Sequence, residues 1–242
     1  EEQMGVHFIY CNGASGNLNF TEKLGEGIFK APYFDQVGQS LVGTVVKAVQ
    51  AEEPVATGKF QVTHIPYVAK VKIDDAELTA KALMVNDACK AYTAANGAWT
   101  SVAQQREYIF KHFNNEGPII QSTYHLSSII THNNNASKET MVIDIFALSF
   151  GDIGMGFVPY EQFDTNAKQM RDGVADLYKV CFSAGYTNGT KSYVPSNLAA
   201  NNEAAKVNYG GYEVYCCRYE DGTGDGVAAA LKDALRAMKG AN

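Results

Sequence analysis

The run Met141-Val142-Ile143-Asp144-Ile145-Phe146-Ala147-Leu148 is nearly all apolar, and it constrains the fold more than any other stretch of the chain. Its branched and aromatic side chains suit a strand, and its near lack of polar alternation suits one covered on both faces. The strand is expected over Thr140–Phe150, with a second apolar run, Ile153–Val158, beyond the Gly151-Asp152 pair. Leu177–Ser183 and Met4–Tyr10 read as two more buried strands, and these four are expected to share one central sheet.

Helical segments alternate with the strands. Pro32 opens a helix to about Gln50, with Val37, Leu41, Val45 and Ala48 as a buried stripe. Lys59–Val71 reads as an edge or bulged strand, because Pro66 interrupts it. Asp74-Asp75 starts a second helix, where acids favour the exposed amides; Leu78, Ala82, Val85, Cys89 and Tyr92 form its apolar face. Cys89 there is a small buried hydrophobe. A third helix is expected near Ser101–His112, so Asp74–His112 reads as a helix-on-helix excursion. Ile119–Thr131 reads as a strand. Helix Glu161–Asp172 and closing helix Gly226–Met238, with Leu231, Leu235 and Met238 inward, complete the order. The expected class is α/β, with a mixed central sheet flanked by the Pro32–Gln50 and Gly226–Met238 helices.

The bulk numbers set limits. The 242 residues suffice for one domain, expected to span 1–242. Net charge is −6, from 20 basic and 26 acidic side chains, and no Lys or Arg run can track a phosphate backbone. No nucleic acid partner is expected. No apolar stretch reaches the roughly 18 residues of a conventional transmembrane segment. The five cysteines have no zinc-site spacing, and an odd count leaves one thiol without an intrachain partner. Cys216 and Cys217 point to opposite faces if they lie in a strand. Asn19, Asn135 and Asn188 head glycosylation sequons, which matter in a secreted eukaryotic protein. Glu1-Glu2-Gln3 is an abrupt start, as a processed or truncated N-terminus leaves.

Four stretches carry candidate chemistry. The small-residue loop Cys11–Asn19 is a tight turn or a close approach to a ligand; it lacks the lysine and spacing of a phosphate cradle. Glu161 follows Phe157-Val158-Pro159-Tyr160 and reads as a helix-start acid, either solvated or turned to a ligand. Tyr193 lies in a Gly-, Asn- and Ser-rich loop after a buried strand, as a packing aromatic or a ligand. Gly210-Gly211-Tyr212-Glu213 reads as the opening of another strand.

Together these stretches resemble the neutral/alkaline, non-lysosomal ceramidase family. Gly151-Asp152-Ile153 through Pro159-Tyr160-Glu161-Gln162-Phe163 is similar to its GD-apolar-PGE-x-F segment. Gly185 through Tyr193-Val194-Pro195-Ser196 is similar to GLANGYxGYxPT, Gly210–Glu213 to GGYE, and Asn12–Asn19 to the start of NGAAGDINP. The resemblance implies a zinc-dependent amidase that cleaves an N-acyl bond of a lipid-like substrate. It implies Glu161 and Tyr193 as metal ligands, and Tyr212 as a pocket residue stabilising the tetrahedral intermediate. Zinc histidines are expected from outside this chain, on an N-terminal segment or a companion chain. Asn19 stands where true ceramidases carry serine, which implies a substrate other than ceramide. The ring of Tyr160 replaces the PGE glycine. An extracellular or periplasmic location is expected. Two other readings stand beside this one. One is a non-catalytic ceramidase-like fold that binds or scaffolds; the other is a metal-free hydrolase using Cys11 or Ser15.

Overall fold

The computed structural model describes residues 9–18, 31–71, 76–113, 140–201, 213–214 and 217–240. Their elements run in the order α1 (Ala31–Gln50), β1 (Phe60–Lys70), α2 (Ala76–Asn96), α3 (Val102–Phe113), β2 (Thr140–Phe150) and β3 (Ile153–Phe157). Then follow β4 (Glu161–Gln162), α4 (Asp164–Asp172), β5 (Val180–Ala184), β6 (Tyr193–Val194), α5 (Asn197–Asn201) and α6 (Thr223–Gly240). Ile119–Thr131, Met4–Phe8 and Asp74-Asp75 lie outside the described residues.

The main sheet has the order β1-β2-β3-β5. β1, β2 and β3 pair antiparallel, whereas β3 and β5 run parallel, so the sheet is mixed. Pro66 sits on edge strand β1 opposite Asp144, in a register that continues unbroken from Phe60↔Phe150 to Lys70↔Thr140. An edge strand has a side with no ladder partner, which is where a residue lacking an N–H is tolerated; no bulge is needed.

Between β2 and β3 the chain reverses at Gly151. Its φ is +60°, and a Cβ there would lie 2.0 Å from the Ala56 carbonyl oxygen. Only glycine fits this reversal.

The core forms on one side of the sheet. Ile143, Ile145 and Ala147 of β2 are fully buried against Val227, Leu231 and Leu235 of α6 and Met170 of α4. The α6 stripe therefore faces inward as its spacing requires. Tyr178 fastens these layers. Its hydroxyl donates to the Leu235 carbonyl at 2.8 Å and meets the Ser149 hydroxyl at 3.0 Å.

The other face of the sheet is open among the described residues. Val62 is 52% exposed, Val68 62%, Val142 46% and Phe182 40%. His64 lies on this face, stacked on Phe146 at 4.8 Å and paired with Asp144 at 2.8 Å. The expectation that β2 is covered on both sides is thus corrected. Its burial alternates, because α4 and α6 both pack on the same face.

Other expectations are corrected too. Helix α1 forms where expected, but Leu41, Val45 and Ala48 are exposed rather than buried, since no described element packs over that stripe. Ile9 and Tyr10 are exposed and belong to no strand. Glu161 begins a strand, not a helix; the helix starts at Asp164, and Glu213 and Val214 are helical. Helices α2 and α3 pack on each other around Val85, Cys89 and Ile109, the helical excursion read from the sequence. Among the described residues, no helix is long and apolar enough to cross a membrane.

Candidate functional site

Parallel strands β3 and β5 end side by side at Phe157 and Ala184. In α/β sheets the space beyond the carboxyl ends of parallel strands is where loops gather side chains around a ligand. The loops leaving these two strands stay together. Val158 donates its N–H to the Ala184 carbonyl at 3.0 Å, Lys191 to Pro159 at 2.6 Å, and Glu161 to Ser192 at 2.9 Å. That lacing ends in the small ladder of β4 and β6, in which Glu161 and Tyr193 are direct register partners. The fold thus brings together two residues far apart in sequence. Side chains of parallel register partners leave the ladder on the same face.

Each strand of this ladder is only two residues long, and outside packing holds it. Gln162, next to Glu161, points inward and is fully buried; the Ser183 hydroxyl donates to its Oε1. Phe163 is also fully buried, with Ala199, Ala200 and Val214, and Tyr193 packs against the same group. On the other strand Val194 is buried in the main core. The loop before Tyr193 holds Tyr186, Asn188 and Ser192 at φ between 57° and 63°, a left-handed conformation uncommon outside glycine and asparagine. Such backbone persists where surrounding contacts over-determine it.

The Tyr160 ring turns away from the site. It is fully buried in the main core beside Val158, Val194 and Tyr219, so its bulk does not crowd Glu161. Burial also pushes its hydroxyl well above the ordinary tyrosine range.

Glu213 is a site neighbour that the motif reading quoted without assigning a role. Burial raises its carboxyl above the usual value, a backbone hydrogen bond partly offsets this, and the charge of Glu161 adds to the rise. The acid after Gly210-Gly211-Tyr212 thus belongs to the same electrostatic field as Glu161. Tyr212 and Asn19 themselves lie outside the described residues.

The Asn12–Leu18 loop closes the other side. Gly16 donates its N–H to the Gln162 carbonyl at 2.9 Å, and Asn12 accepts from Gly185 at 2.8 Å. A Cβ on Gly16 would lie 2.7 Å from the Glu161 carbonyl oxygen, so the close approach here is to the protein's own backbone. Neither the sequence position nor the composition of the loop reveals that partner.

Zinc takes nitrogen, oxygen or sulfur donors, four of them in a tetrahedral site. A carboxylate and a phenol on one ladder face suit its oxygen chemistry. Among the described residues, however, no group of three or more His, Cys, Asp or Glu comes together. His64 is engaged with Asp144, and His112 lies on α3 with Nδ1 2.8 Å from the Tyr108 carbonyl oxygen. His7, His125 and His132 lie outside the described residues. Glu161 and Tyr193 supply two oxygen donors, short of the four that a tetrahedral site takes. Cys11, Cys89, Cys181 and Cys217 carry no disulfide, and burial pushes the Cys181 thiol up to about 11.

No model of a known family matches the chain, and no curated protein matches it. Among solved structures it is similar to neutral ceramidase from Pseudomonas aeruginosa, with a TM-score of 0.51 and 17% identity over 95% of this chain and 37% of that one. A structure described as ceramidase complexed with C2 gives a TM-score of 0.39 and 14% identity, over 85% of this chain and 35% of that one. The chain thus spans well under half the length of the ceramidase chains it resembles. At these identities the likeness to the first is one of fold.

Proposed function

We propose that this chain forms part of a zinc-dependent hydrolase acting on an N-acyl amide bond. The observation that carries the reading is the pairing of Glu161 with Tyr193 as register partners beyond the ends of two parallel strands. The ceramidase-like fold supports it, and the four motif resemblances run in the same chain order. In this reading Glu161 and Tyr193 hold one side of the metal, and histidines from outside the chain segment complete it. Zinc, when bound, supplies carbonyl polarisation and a water of lowered pKa.

The chain's own residues have separate tasks. Glu161 brings a full negative charge to the ion and Tyr193 a phenol oxygen. The Tyr212 hydroxyl donates a hydrogen bond to the oxyanion that develops at the attacked carbonyl. Asn19 meets the polar part of the substrate where ceramidases present a serine, so the preferred substrate is an N-acyl or related polar compound other than ceramide. A lipid-like acyl chain and an extracellular or periplasmic setting belong to the same reading.

The test uses the full protein carrying this chain. Glu161→Gln is expected to lower amide hydrolysis by on the order of 100-fold, since even residues that only support metal ligands cost about 10–100-fold. Zinc content measured on the same sample should fall in parallel. Equal activity of wild type and Glu161→Gln on every amide tested would overturn the enzyme reading and favour a ceramidase-like binding module.

A further inference from the structure

Helix α4 lacks the usual cap. Phe163 occupies its N-cap position and makes no side-chain cap hydrogen bond. The missing acceptor comes from 147 residues earlier in the chain. Asn17 Oδ1 accepts from the Asp164 N–H at 3.0 Å, while Asn17 Nδ2 donates to the Asp164 carboxylate at 2.7 Å. The Asp164 carboxylate also accepts from the Thr165 N–H at 2.7 Å. Asn17 therefore does for α4 what a capping residue normally does from within the helix's own sequence.

The position of this bond matters because Asp164 follows Glu161 by only three residues. Gly16 grips the Gln162 carbonyl and lies against that of Glu161, Asn17 grips Asp164, and Asn12 grips Gly185. Gly16 thus holds β4 from the side that the β4–β6 ladder leaves open, Asn17 holds the start of α4 just beyond it, and Asn12 ties the loop to the residue after β5. A two-residue ladder alone fixes its residues weakly, since it closes few hydrogen bonds for the entropy it costs.

We propose that the Asn12–Leu18 loop is a positioning strap for Glu161, and that Asn17 is its anchoring residue. This rests on the reading of Glu161 as a metal ligand. Asn17 does not touch the metal or substrate; it sets the direction from which the Glu161 carboxylate arrives. Its amide is needed because one end must accept from a backbone N–H while the other donates to a carboxylate. Aspartate at this position would accept but would also repel Asp164.

The experiment uses the full protein with Zn²⁺ alone as probe. Zinc affinity is read by competition with a chelator, and hydrogen exchange is followed at the Gly16 and Asp164 amides. Asn17→Ala and Asn17→Asp are each expected to weaken zinc binding by about tenfold, the range typical of residues that orient ligands. Both should speed exchange at the two amides. The swap Asn17→Asp with Asp164→Asn rebuilds the reciprocal pair with donor and acceptor exchanged. It is expected to restore affinity and protection together, which a general loss of stability would not predict.

Unchanged affinity in Asn17→Ala would overturn the positioning role, as would a swap that recovers thermal stability without zinc affinity. If wild-type protein takes up no zinc, the metal reading itself fails and this role of Asn17 with it. Exchange at Gly16 and Asp164 would then report only whether the clamp orders the β4 backbone.

Discussion

Glu213 shows how a single residue records the site's electrostatics. Its carboxyl titrates above the 4.5 of an ordinary glutamate, chiefly because burial penalises the charge and also because Glu161 is near. A raised folded-state pKa has a definite sign. The group's contribution to stability is fully present below its unfolded value and is lost as pH rises through the folded one. Glu213→Gln stays neutral at every pH and escapes that loss. In chelator, the variant should match wild type below about pH 4, where the carboxyl is protonated in both states, and melt at a higher temperature than wild type at pH 7. Thermal melts across that range check it, and a variant less stable than wild type at pH 7 would contradict the assignment.

The Tyr178 hydroxyl makes two of the polar bonds that join the elements around the core. It binds β2 through Ser149 and α6 through Leu235, inside a region where Ser149 is 1% exposed. Tyr178→Phe leaves a buried hydroxyl and a helix carbonyl without this partner. The expected cost is about 1–3 kcal/mol, seen as a lower denaturant midpoint with unchanged slope. Little of this was legible beforehand: periodicity gave the α6 stripe, but a tyrosine at a strand's entrance carries no mark of its distant acceptors. The site ladder is similar. Motifs drew attention to Glu161 and Tyr193, yet Glu161 was expected in a helix, because an acid before an apolar-periodic stretch resembles a helix start. Asn17 takes over the N-terminal task at Asp164 instead, through a contact that no local pattern encodes.

On the scale of the whole molecule, helices cover one face of the sheet and leave Val62, Val68, Val142 and Phe182 open. Exposed apolar side chains gathered on one sheet face bind hydrophobic dyes and promote association. The pair Val62→Thr and Val68→Thr keeps β-branched strand formers while removing apolar surface. Purified 242-residue chain carrying both is expected to bind an anilinonaphthalene dye about half as strongly as wild type, with little change in melting temperature. Undiminished dye fluorescence would show that this face is covered in solution.

By itself the sequence determined what depends on neighbours along the chain. The apolar runs of β2 and β3, the α6 stripe, the edge character conferred by Pro66 and the α2–α3 hairpin all follow from spacing and residue type. Spacing cannot say which of two apolar faces receives a helix, and so the burial of β2 and of the α1 stripe came out differently. Nor can it show that Gly16 fits against Glu161, or that Asn17 reaches Asp164. Those contacts join segments about 145 residues apart, and the order in which β3 and β5 lie together in the sheet decides them.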